Sequence, residues 1–276
     1  MASHIRSAKP ASKWGDYELA AYNITVSPRS PDEFFSTPDP SLNDIDPAIL
    51  NSPPDDRNPT LSDDTVGYLR HLALATGTTH PMLFIDDIPA RTLELLHFDG
   101  LGTLVIPGHA IPLNICGRTS RGADTCACLV YLPTFVLLVI VKDDGHTRRT
   151  NAQARVIAEA IATFQSNNKE RRVLGLDPLD IMNVPCIVMN RTRPTFFVVP
   201  VTTELSDAVI AGQYPTARTE VLRCTTEAAH VQGTEIGMED TKYRKLVFRR
   251  FLAFKEVAKS HWESVLEGVP VPKLVT

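Results

Sequence analysis

Three features predict an α/β fold with a mixed central sheet flanked by helices, an extended arm in front and a long helix behind. From residue 102 the chain changes from helical to strand periodicity. Residues 135–141 are seven apolar residues rich in β-branched types and lead into Lys142-Asp143-Asp144, the pattern of a buried central strand that delivers charge to a sheet edge. A long amphipathic helix follows at once, over residues 151–168.

In chain order, residues 1–60 hold nine of the 21 prolines, interspersed with Ser and Asp, and are read as an extended arm. Trp14, Tyr17, Leu19, Tyr22, Ile24 and Val26 introduce apolar alternation there. That pattern fits an edge strand lying on the domain, and a disordered leader is the other reading of the same composition. Residues 61–276 are read as one domain. Ser62 can cap a helix with Asp63 and Asp64 in its first turn and Val66, Leu69, Leu72 and Ala73 at helical spacing, ending at Gly77. Asp86, Asp87 and Pro89 open a second helix that turns Ile88, Leu93, Leu95 and Leu96 inward; both carboxylates are read as capping groups.

Strands are expected at 104–106, 112–115, 123–131 and 135–142, forming a meander. In the third helix Val156, Ile157, Ala160, Ile161 and Phe164 form the apolar stripe, while Glu159 is read as a solvated i, i+4 partner. Two more strands, 186–189 and 195–200, are joined by a turn at 190–194. Thr203 is expected to cap a helix over 204–211, a further strand is expected at 220–224, and a helix over 239–266 buries Tyr243, Val247, Phe251, Phe254, Ala258, Trp262 and Val265.

At 276 residues and 43% hydrophobic, the chain can bury one large core. Its net charge of −4 gives no overall attraction to nucleic acid, so such binding needs a local basic patch. Arg148, Arg149, Arg155, Lys169, Arg171 and Arg172 around the third helix are the candidate patch for nucleic acid, with a protein partner as the other expectation. The Lys and Arg residues of the last helix are interleaved with Glu and read as a mixed solvated face.

Five cysteines without a Cys-x-x-Cys pair suit a reducing intracellular compartment, cytoplasmic or nuclear. Cys126 and Cys128 are expected to pack, since no second pair has zinc spacing. No run is apolar enough to span a bilayer, and no membrane association is expected. Neither a nucleophile elbow nor a Gly-rich phosphate loop is present.

The order helix, strands, Asp124-bearing strand, charge-ended strand, long helix starting near Gln153, strand resembles the PD-(D/E)XK nuclease superfamily. Over nearly the whole chain, phrases such as Pro112-Leu113-Asn114-Ile115-Cys116-Gly117, Ala123-Asp124 and Arg193-Pro194-Thr195-Phe196 are similar to a large family of uncharacterised basidiomycete proteins. The resemblance implies a restriction-endonuclease-like core. It also implies a carboxylate on one strand, acid-x-lysine at the end of the next, and a Gln at the helix start that contacts phosphate or water. In such a site two carboxylates hold Mg²⁺, the metal activates its water, and the lysine orients the nucleophile.

Asp124 fits the first carboxylate, but Lys142-Asp143-Asp144 departs from the second motif. Aligned without a gap, Lys142 replaces the acid and Asp144 the lysine; aligned two residues earlier, Lys142 fits the lysine and Ile140 replaces the acid. A cation at a ligand position repels the metal. The expected function is therefore a degenerate nuclease acting as a non-catalytic nucleic-acid- or protein-binding module. The alternative is a Mg²⁺-dependent nuclease that holds its metal through Asp124, Asp143 and Asp144, with Lys142 or His146 near the nucleophile and Gln153 positioning. That alternative needs a shift in strand register, which would flip every side chain to the other face.

Overall fold

The computed structural model describes residues 7–56, 58–76, 87–100, 102–120, 125–131, 134–143, 151–227 and 236–271. The N-terminal segment contains α1 (Asp16–Ala21), β1 (Ile24–Pro28), α2 (Pro31–Phe34) and α3 (Pro47–Asn51). Next come α4 (Asp63–Thr76), α5 (Asp87–Leu95), β2 (Thr103–Pro107), the hairpin β3 (Leu113–Ile115) and β4 (Arg118–Ser120), β5 (Ala127–Tyr131) and β6 (Phe135–Lys142). The rest is α6 (Ala152–Val173), β7 (Ile181–Asn190), β8 (Arg193–Thr202), α7 (Thr203–Ala211), β9 (Thr219–Thr225) and α8 (Thr241–Leu266).

Among the described residues seven strands form one mixed sheet in the order β1-β9-β8-β7-β6-β5-β2. The β1/β9 and β6/β7 pairs are parallel and the others antiparallel. Helix α6 is the crossover that makes β6 and β7 parallel neighbours. Phe196 of β8 packs on Phe251 and Phe254 of α8, while its neighbour Phe197 faces the start of α6, so the two long helices cover opposite faces. Covered on both faces, β6 is buried from Phe135 to Val141, which is why it reads as an unbroken apolar run.

An irregularity in β6 sets the phase of everything after it. Leu129 pairs with Leu138 but Val130 pairs with Val136, leaving Leu137 as the extra residue of a bulge. The polar groups freed there are satisfied from both faces. Asn167 of α6 accepts from Val136 N at 3.0 Å and donates to Val136 O at 2.8 Å, and Trp262 Nε1 of α8 donates to Leu137 O at 3.0 Å.

The alternation around Tyr22–Val26 does produce an edge strand: β1 lies parallel to β9, with Ile24 opposite Thr219. The Pro-rich segment is not merely extended, because Pro31 and Pro47 occupy first-turn positions of short helices, where a missing N–H costs nothing. Trp14 and Tyr22 stack at 5.5 Å and are buried, and Phe35 meets Phe196 edge-on. Three further expectations are corrected. The strand at 112–115 leaves the main sheet to pair with β4; α6 continues to Val173; and Thr202, not Thr203, caps α7 by accepting from Leu205 N. No described helix is long and apolar enough to cross a membrane.

Candidate functional site

Asp143 N donates to Met189 O at 2.8 Å, continuing the parallel ladder one residue beyond β6. Strand alternation therefore puts Lys142 and Asp143 on opposite faces of the sheet. Asp143 lines a cleft of about 310 Å³ at the start of α6, together with Gln153 and Arg223, over a floor that includes Val188, Thr195 and Phe197. Those floor residues share a face because Phe197 is opposite Arg223 and Thr195 is opposite Thr225.

The α6 N-terminus is rigidly held. Asn151 Oδ1 accepts from Gln153 N at 3.0 Å and Ala154 N at 3.3 Å, while its Nδ2 donates to Asp16 Oδ1 at 2.6 Å. Arg223 Nη1 donates to Gln153 Oε1 at 3.0 Å. Asn190 Nδ2 reaches Asp143 Oδ2 at 3.4 Å, a long contact.

Gln153 and Asp143 are thus brought together, and Lys142 is not. Ile140, on the face of Lys142, is 0% exposed and occupies the position that an acid two residues before a lysine would need. Asp124, Asp144, His146, Arg148 and Arg149 lie outside the described residues, as does Asp86. Among the described residues no three His, Cys, Asp or Glu side chains gather as metal ligands. Those in the cleft do not fit Mg²⁺: they offer one carboxylate, and a guanidinium stands in the same cleft.

The four described basic residues of the expected patch do not make one surface. Arg171 is 6% exposed, and its guanidinium donates to Asp177 O at 2.7 Å, Val265 O at 2.9 Å and Glu267 O at 3.0 Å, tying α6 to the end of α8. Arg155 is half-buried. Lys169 and Arg172 line a different cleft, and Lys169 is about 24 Å along the helix from Gln153 at 1.5 Å per residue.

Glu159 is not solvated but 0% exposed. Its side chain turns to the sheet, since Cys128, Val139 and Cys186 share the face of Phe197, which looks onto α6. Its carboxylate acts on Cys128 and Cys186, whose strands flank Val139 of β6. Burial first, and Glu159 second, push the Cys128 thiol up to about 12; the same causes raise Cys186 well above its ordinary range. The stabilisation from the protonated Cys128 thiol is complete below its unfolded value of 9.0 and is lost as pH rises towards about 12. Iodoacetamide at about pH 8 is expected to modify half-buried Cys116 and Cys126 in the native protein and to spare Cys128 and Cys186 until unfolding, read by mass spectrometry.

Arg223 is the site residue that sequence reasoning passed over. A cation between Leu222 and Cys224 in a strand was the available signal, but its pairing with Gln153, 70 positions away, comes only from the fold. No protein-family model and no curated protein matches the chain.

Proposed function

We propose that this chain is a PD-(D/E)XK-like protein with a degenerate nuclease site, and that it binds nucleic acid without cleaving it. The observation that carries this reading is the divergence of Lys142 and Asp143 to opposite faces, with buried Ile140 where the acid partner of Lys142 would stand. The succession α5, β2, β5, β6, α6, β7 supports the restriction-endonuclease-like core. The cleft keeps what a backbone phosphate requires: an Arg223 fork oriented by Gln153, beside the N-terminal dipole of a long helix. Among the described residues Gln153 is the only hydrogen-bonding partner of the Arg223 side chain, so other guanidinium donors remain for phosphate oxygens. Intracellular location, cytoplasmic or nuclear, accompanies this reading.

One observation favours the Mg²⁺-dependent nuclease as a second reading: Asp143 is delivered to the cleft that holds Gln153. In that case Asp124 and Asp144 complete the metal site.

Fluorescence anisotropy on labelled duplex and single-stranded oligonucleotides across a salt series tests the binding. Arg223→Ala is expected to weaken binding by about five- to twentyfold and lower the salt slope by about one, as loss of one phosphate contact should. Absence of binding by the wild type, or equal binding by the variant, would reject the nucleic-acid reading and leave a protein partner.

A further inference from the structure

A cleft of about 500 Å³ lies far from Gln153, where the second half of α6 meets α7 and the β3/β4 hairpin. Its walls are fixed by amide clamps. Gln165 accepts from Asn114 N at 2.8 Å and donates to Asn114 O at 3.2 Å, fastening the hairpin to α6. Asn168 likewise accepts from Leu179 N at 2.7 Å and donates to Leu179 O at 3.0 Å.

Within this frame Lys169 and Arg172, i and i+3 on one helix face, form a cationic wall. Neither side chain is engaged by a carboxylate among the described residues. Ser206 lies in the cleft at only 4% exposure, and among the described residues its hydroxyl has no hydrogen-bond partner. That hydroxyl still reaches the open space of the cleft, so it is available to a polar group of a bound molecule. Asp207 lies beside it on α7 and lines the same space.

We infer that this cleft binds a small phosphate monoester with a polyhydroxylated body. The phosphate goes to Lys169 and Arg172, while the body's hydroxyls meet Ser206 and donate to Asp207. A second anionic group is disfavoured by Asp207 itself, which separates this ligand class from dicarboxylates. The volume lies within the range of small-molecule sites, about 300–1,000 Å³. A sugar phosphate and a nucleoside monophosphate share this chemistry. The site is independent of the cleft at Gln153.

Isothermal titration of the full chain with inorganic phosphate, ribose, ribose 5-phosphate, AMP and phosphoethanolamine tests the inference. Ribose 5-phosphate, AMP or both should bind at least about tenfold more tightly than phosphate or ribose alone, with the order of the two esters naming the source. Arg172→Ala, on an exposed side chain that leaves folding intact, and Ser206→Ala should each weaken the tighter ester by about five- to tenfold. Absence of binding by every probe, affinity for the esters no better than for inorganic phosphate, tighter binding of phosphoethanolamine, or affinity unchanged in both variants would overturn it.

Discussion

Arg244→Met is expected to lower the stability of the chain by about 3–5 kcal/mol and its melting temperature by about 6–15 °C, the largest effect of any single substitution considered. Arg244 is 0% exposed although it lies near the start of α8. Its Nε donates to Met238 O at 2.6 Å, and its Nη1 donates to Ile49 O at 2.7 Å and Ser52 O at 2.8 Å. Burial pulls its pKa down, and the nearby Tyr68, Glu239 and Asp240 oppose that pull. Methionine fills the volume but leaves those three carbonyls, and Glu239 O, which Nη2 reaches at a long 3.4 Å, without their donor, at a cost of about 1–3 kcal/mol for each well-formed bond before relaxation. Two of those carbonyls end α3, so the variant should also release the N-terminal segment. Urea denaturation measures the first effect and limited proteolysis near residues 52–60 the second. A variant as stable and as resistant as wild type would show that other contacts hold this segment.

Asn167→Leu should cost about 2–4 kcal/mol, because one side chain answers both polar groups of Val136 at the β6 bulge. Leucine is similar in size, so the loss is polar rather than a cavity. Trp262→Phe, which removes only the donor to Leu137 O, should cost less, about 1–2 kcal/mol. Hydrogen exchange at the Val136 amide should accelerate in the first variant and not in the second. The bulge sets which side chains of β6 face α6, so Asn167→Leu should also weaken binding at the cleft where Asp143 emerges. Equal stability of the two variants would separate the bulge from its supposed support.

What was legible in the chain was what short-range period encodes. β6, the stripe of α6, the buried face of α8 and the edge strand at Ile24 are set by spacings of two or by helical spacing, and each was readable. Glu159 falls beside the apolar stripe and reads as a solvated partner, but its carboxylate acts on Cys128 and Cys186 of the sheet, a placement that only the packing of α6 on β5, β6 and β7 reveals. The hairpin β3/β4 has strand chemistry, yet its register gives it to its own turn rather than to the sheet. Basic residues near one helix suggested one patch, but Arg171 turned out to be a clamp on three carbonyls, and the helix separates Lys169 from Gln153. Asp143 follows from its place after the apolar run and Gln153 from the resemblance, and the fold puts both in one cleft. That Lys142 and Asp143 diverge follows from strand alternation alone; which of them faces the cleft at α6 depends on the phase left by the bulge, which needs the partner strand to be seen.

The central claim, a nuclease-like core that binds without cutting, is tested most directly by one experiment on the wild-type chain. Mg²⁺ and Mn²⁺ titrations by calorimetry are run beside cleavage of supercoiled plasmid and single-stranded DNA and RNA, with Asp124→Ala and Asp143→Asn in parallel. The account predicts retained oligonucleotide binding, no saturable divalent-metal site and no cleavage in any sample. Metal binding and strand cleavage by the wild type, both lost in Asp124→Ala and Asp143→Asn, would contradict it and establish the metal-dependent nuclease instead.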